Sequence, residues 1–365
     1  MLPETRIGRF DEPIVQRTQL GWILTGNVTP VFKRSTSIRC HHSTLQLESL
    51  VQRFYEHEQI PADRASSLEE NWCENHFLQT HLRQPNGKYL VRLPLKHLFD
   101  QTQTLCKSKQ TALHRFYCLE RKLQRDEKLR KLYSECIHDY FELNQIKPAT
   151  TTERDHCAFT PANAPTVTSC VLPHHAVLKE ESLTTKLRIV FDASCKTTNG
   201  RSLNDVLCTG PALQNDLSAV ILNWRKHKFA LTADIQKMYR CINMHPEDSQ
   251  YQCIIWRNGE GNIKEYCLTT VTFGAASAPY TAIRVLHQLA EDERESHPLT
   301  AEVLKHEFYV DDVLSGSDSI EGAIAIREQV TAALLSAGIN LRKWSSNSIG
   351  LLDGIPPEHM SRATV

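Results

Sequence analysis

The chain has 365 residues, 41% of them hydrophobic, and its 42 Lys and Arg balance 42 Asp and Glu to a formal net charge of zero. That length supports two or three domains with sizeable cores, while the balanced charge excludes a protein that binds polyanions through its total charge; any such binding must use local patches. No signal peptide and no apolar run long enough to cross a bilayer is apparent, so no membrane partner is expected, and twelve cysteines scattered without a CxxC pair read as free thiols in a reducing compartment.

In chain order, residues 1–28 alternate polar and apolar side chains through short strands. LQLESLVQRFYEHEQI has apolar residues at helical spacing and is stopped by Pro61. In PNGKYLVRLPL, Asn86-Gly87 predicts a turn before a strand. Residues 107–144 predict two helices, with Leu113, Phe116, Tyr117 and Leu119 as core. The basic run Arg121, Lys122, Arg125, Lys128, Arg130 and Lys131 lies in this stretch; it reads as a solvated helix face, with a local nucleic-acid patch as the alternative. KPATTTERD, residues 147–155, has a linker's composition. His156, Cys157, Cys170, His174 and His175 fit no standard zinc spacing, and no GxSxG elbow marks a serine hydrolase.

The second half carries the chemistry. Phe229 to Ile235 in KFALTADIQKMYRCINMH is an apolar, β-branched-rich strand with Asp234 near its end. Alone, Asp234 reads as a helix cap. In HEFYVDDVLSGSDS, Phe308-Tyr309-Val310 reads as a strand that Asp311 and Asp312 interrupt and Val313-Leu314 resume, a hairpin with two carboxylates at its tip. Adjacent anions repel unless a cation lies between them, and a hard divalent cation suits oxygen ligands. Taken jointly, two strands of one sheet would bring Asp234, Asp311 and Asp312 together around two magnesium ions, one activating a primer 3′ hydroxyl and the other holding a triphosphate.

At this point the chain resembles reverse transcriptases, and its flanking text is similar to the polymerase of BEL/Pao-type LTR retrotransposons. The stretches that carry the resemblance are LPHHAVLKEESLTTKLRIVFDAS, SLNDVLCTGPALQNDL, LTADIQKMY, TFGAASAPYTA, FYVDDVLSGSDS and AGINLRKWSSN, in the family's order. The fold implied is α+β, a right-hand polymerase with fingers and palm. The resemblance makes Asp234 and Asp311 the main metal ligands with Asp312 assisting, for Mg2+ or, as a substitute, Mn2+. It makes Arg188 and Lys179 the cations over the triphosphate, where a guanidinium matches phosphate oxygens; a solvated strand edge is the alternative. Tyr239, five residues after Asp234, takes the family position of the ring that excludes a 2′ hydroxyl. Phe273, Gly274 and Tyr309 join the substrate contacts, although retroviral enzymes carry glutamine where Phe273 stands. Lys343 is either the acid that protonates the leaving pyrophosphate or a plain lysine on a sheet edge.

TQLGWILTG resembles the closing segment of the aspartic protease that precedes the polymerase in these polyproteins. Catalysis there needs an aspartate in a DTG or DSG turn, which this chain lacks, so the remnant is expected to be inert. The organisation implied is a protease remnant over 1–30, a mostly helical connector over 31–146, reverse-transcriptase fingers and palm over 147–350, and a tail over 351–365 with the thumb missing. The expected activity is RNA-directed DNA polymerisation on an RNA or DNA template with primer and deoxynucleoside triphosphates. Partners would be other Pol segments: thumb, ribonuclease H and integrase. The expected location is cytoplasmic, in a virus-like particle, with the nucleus as the alternative. The rival reading is a domesticated or decayed polymerase fold that binds nucleic acid without catalysis.

Overall fold

The computed structural model describes strands Thr5–Arg6, Ile14–Thr18 and Gly21–Thr25, and residues 66–96, 105, 107–149, 169–178 and 187–361. The expected helix before Pro61, the pair His156 and Cys157, Lys179, and residues 150–155 of the expected linker lie outside the described residues. The chain divides into two compact units, Met1–Arg64 and Ala65–Val365.

In the first unit, β1 (Thr5–Arg6), β2 (Ile14–Thr18) and β3 (Gly21–Thr25) form an antiparallel sheet in that order. The register of β2 and β3 runs from Ile14 opposite Thr25 to Thr18 opposite Gly21.

The second unit opens with α1 (Leu68–Thr80), started by a capping box in which Ser67 and Glu70 satisfy each other's backbone N–H. The expected Asn-Gly turn follows, between β4 (Leu82–Arg83) and β5 (Tyr89–Val91), with the Gly87 N–H donating to Gln84 O; β10 (Asn243–Met244) pairs with β5 in parallel. Two helices then form as expected, α2 (Lys109–Arg125) and α3 (Glu127–Glu142), which meet at Asp126. The Asp126 carboxylate accepts from Leu129 N at 2.9 Å and so starts α3. The α2 stripe Ala112, Phe116, Leu119 and Leu123 is buried, and α3 answers with Leu129, Tyr133, Ile137 and Tyr140. Tyr117, expected in this core, is instead 45% exposed. Successive helical residues point about 100° apart, so once Phe116 faces inward its neighbour cannot.

Three sheets frame the rest. β6 (Ile146–Pro148) pairs with β12 (Ile263–Leu268), which pairs with β11 (Cys253–Arg257). Lys147 and Pro148, at the start of the expected linker, therefore lie in a strand. The expectation of free thiols fails at one place: Cys253 and Cys267 are register partners across β11 and β12 and form a disulfide. Their residue types carry no spacing signal; the antiparallel register alone sets them opposite each other. β7 (His174–Leu178) and β8 (Leu187–Phe191) make a two-stranded ribbon packed against α2 and α3. His174, weighed above as a metal ligand, is buried there. Its Nδ1 faces the Tyr133 hydroxyl and its Nε2 lies 2.9 Å from Ile255 O.

The central sheet has the order β13 (Phe308–Tyr309), β14 (Asp312–Ser317), β9 (Phe229–Ile235), β15 (Leu341–Ser346), all antiparallel. Along β9, Leu231, Ala233 and Ile235 are buried. By the two-residue period of a strand, Thr232 and Asp234 then point to the opposite face. Helix α4 (Leu217–Trp224) packs against β14, as does α7 (Ile320–Ser336), which also covers β9. Gly338 follows α7 in a left-handed conformation, a common way to end a helix. Helices α5 (Ala278–Asp292) and α6 (Pro298–His306) extend the same core.

Candidate active site

Strand parity and hairpin geometry assemble the carboxylates. Asp234 stands on the open face at the end of β9, and its register partner in β14 is Asp312. Tyr309 pairs with Asp312 across the hairpin, leaving Val310 and Asp311 as the two-residue tip. Val310 holds φ at +58°, a left-handed value that costs a β-branched residue about 1–3 kcal/mol. The tip is anchored by Ile235 N, which donates to Asp311 O at 2.7 Å, so β9 fixes the height of the loop that carries the second carboxylate.

The electrostatics follow from crowding like charges. Burial raises the Asp311 carboxyl above its ordinary pKa, with repulsion from Asp234 adding to it, while Arg188 and Lys343 pull the other way. Asp312 is raised by burial and then by Asp311 and Asp234, with Lys343 opposing. Tyr239 is raised by burial and by Asp311, which places its hydroxyl in the same field. Lys343 answers the negative charge directly: its Nζ lies 2.5 Å from Asp234 Oδ2. Lys343 has φ +57° at a register shift of β15 between Arg342 and Ser345.

The carboxylates supply the hard oxygen donors that a divalent cation prefers, and their mutual repulsion is what a cation would relieve. Yet among the described residues no group of three or more His, Cys, Asp or Glu side chains is arranged to hold a metal ion. The expected three-carboxylate centre is thus present as neighbouring residues, not as a chelating set, and the ammonium of Lys343 sits on Asp234.

The Tyr239 ring packs on Phe273, with centroids 4.6 Å apart and planes at 54°. Gly274 follows at φ +104°, and a Cβ there would fall 2.1 Å from Phe191 O at the end of β8. The turn therefore lies flush against the strand that carries Arg188. Arg188 is exposed on β8. Tyr309 is half-buried in β13.

Sequence reasoning gave no role to Asn204. Its Nδ2 donates to Gly274 O and to Ser194 Oγ, both at 2.9 Å, and its Oδ1 accepts from Ala276 N at 2.8 Å. It therefore clamps the Phe273–Ala276 turn onto the end of β8. Asn215 acts similarly on the hairpin, donating to Lys305 O at 2.8 Å and Phe308 O at 3.2 Å. Neither has a local signal, because each acts on a backbone distant in sequence.

The antiparallel sheet and its hairpin thus set Asp234 beside Asp311 and Asp312. Residues 177–344 match the family described as reverse transcriptase (RNA-dependent DNA polymerase). Among solved structures the chain is similar to a foamy viral protease–reverse transcriptase in complex with double-stranded DNA. That match has 16% identity and a TM-score of 0.44, over 59% of this chain and 31% of that one. The native prototype foamy virus protease–reverse transcriptase matches at 20% identity and a TM-score of 0.41, over 60% and 24%. The chain spans about a quarter to a third of the length of these proteins. No curated protein matches it.

Proposed function

We propose that residues 147–350 catalyse RNA-directed DNA polymerisation, the template-directed addition of deoxynucleotides to a primer 3′ hydroxyl. The observation that carries this reading is the meeting of Asp234, at the end of β9, with the Asp311–Asp312 hairpin tip beside the Tyr239–Phe273 pair. Asp234 and Asp311 would hold magnesium, with Asp312 assisting; two bound ions would activate the primer hydroxyl and hold the triphosphate. Arg188 would meet the triphosphate oxygens with its planar guanidinium, and Lys179 would assist. The Tyr239 ring, backed by Phe273, would fill the space of a 2′ hydroxyl. Lys343 Nζ, freed from Asp234, would give a proton to the leaving pyrophosphate. We further assign the chain to a BEL/Pao-type retrotransposon polyprotein. In that setting the first sheet is the inert end of an aspartic protease, a helical connector follows, and thumb, ribonuclease H and integrase segments are partners in a cytoplasmic particle.

One observation favours a second reading. The Lys343–Asp234 ion pair neutralises a carboxylate that catalysis needs free, as expected of a polymerase fold kept only to bind nucleic acid. Magnesium-dependent primer extension separates the two. Asp234→Asn and Asp311→Asn should each lower it about a hundred- to a thousandfold or more, the cost of losing charge stabilisation at a reacting centre, and Asp312→Asn should leave residual activity. A wild-type chain that binds primer–template yet extends nothing at any magnesium or manganese concentration establishes the second reading.

A further inference from the structure

The α2–α3 corner concentrates charge that the chain as a whole lacks. Residues 121–131 carry a net charge of +4 on a chain whose formal total is zero. The apolar stripes of both helices face inward, so all six of the corner's cations are exposed. Internal counter-charge is scarce. Arg130 and Lys131 share the single carboxylate of Glu127, at 3.6 and 3.5 Å, while Asp126 caps α3. Arg121 reaches only the Cys118 sulfur, and Lys122, Arg125 and Lys128 form no ion pair among the described residues. A solvated helix face of ordinary composition balances both signs; here six cations meet two carboxylates.

Tyr117 supplies a second, independent feature. It precedes Arg121 by four residues and Arg125 by eight, so the three share one stripe of α2, with about 6 Å of axial rise between neighbours. Its ring is 45% exposed. An exposed aromatic in line with guanidinium groups offers a base a stacking surface and its backbone a row of cations. A membrane surface would need apolar side chains to insert. None of the exposed large hydrophobics falls between Tyr117 and Leu143, so the chemistry favours a nucleic-acid strand over a bilayer.

We propose that the α2–α3 corner is a docking surface for single-stranded nucleic acid, with Tyr117 stacking on a base and Arg121, Arg125 and Lys128 meeting phosphates. The identity of the strand as the unpaired template rests on the polymerase reading; the binding itself does not.

The test is fluorescence anisotropy of labelled oligouridylate with the full chain, in EDTA, across a salt series. Replacing Arg121, Arg125 and Lys128 together by Gln should cut affinity about a hundredfold near 0.1 M salt. It should also flatten the plot of log K against log salt by about 2, as expected for three lost contacts to a single strand. Tyr117→Ala should weaken binding about tenfold and leave the slope unchanged. An unchanged melting curve by circular dichroism shows that either variant is folded. Equal affinity and slope for wild type and the triple variant overturn the proposal. So does capture of the chain by phosphatidylserine vesicles without binding to the oligonucleotide. A chain that binds through this corner but never extends a primer sinks the polymerase reading and leaves this one standing.

Discussion

Gly274→Ala tests how the turn beside Tyr239 is held. Gly274 sits at φ +104°, and an added Cβ would meet Phe191 O at 2.1 Å and Phe191 C at 3.3 Å. The obstacle is backbone in a paired strand, so it cannot rotate away as a side chain would. Two costs combine. Placing a Cβ residue at positive φ costs about 1–2 kcal/mol, and forcing the overlap apart costs a further 1–3 kcal/mol or so. Gly261→Ala separates them, because Gly261 has φ +85° with nothing within 4 Å of its Cβ position. The gain from stiffening the unfolded chain is common to both variants and cancels. Urea denaturation should therefore show Gly261→Ala destabilised by about 1–2 kcal/mol and Gly274→Ala by about 2–5 kcal/mol. The displaced turn should also carry Phe273 away from Tyr239, so Gly274→Ala should alter nucleotide selection where Gly261→Ala does not. A difference below about 0.5 kcal/mol, the range of ordinary surface changes, would show that the turn is not pressed against β8.

Three further outcomes follow from the same structure. Burial holds His174 neutral and pushes its pKa down to about 4 from an ordinary 6.5. As pH falls, the unfolded chain is protonated first, so this contribution is complete above about pH 6.5 and is lost towards pH 4, about 3 kcal/mol in all. Urea midpoints at pH 7 and about 4.5 should fall more for wild type than for His174→Gln, and equal falls would remove His174 from the acid response. Asn204→Asp replaces the donor to Gly274 O with a repelling oxygen and should cost about 2–3 kcal/mol while raising KM for nucleotide. A stability loss with unchanged KM would make Asn204 a scaffold residue only. Under the proposed function, Tyr239→Ala should let ribonucleotides compete with deoxynucleotides, and an unchanged preference in paired incorporation assays would return Tyr239 to the role of a packing residue beside Phe273.

Local elements were legible in the amino-acid order wherever one signal sufficed. The apolar run that carries Asp234, the Tyr309–Asp312 hairpin and the two helices over 107–144 all form where the pattern places them, because periodicity and turn chemistry act over a few residues. Contacts between distant segments were decided only by the tertiary structure. The Cys253–Cys267 disulfide depends on an antiparallel register that no cysteine spacing encodes. Tyr117 left the expected core because Phe116 occupied the single inward direction available to that turn of helix. Asn204 became a clamp through backbone atoms some 70 residues away. The Lys343 ammonium came to rest on Asp234 because β15 shifts register beside β9. Each of these results from two surfaces meeting, and a residue's type and neighbours in sequence do not specify which surface it will meet.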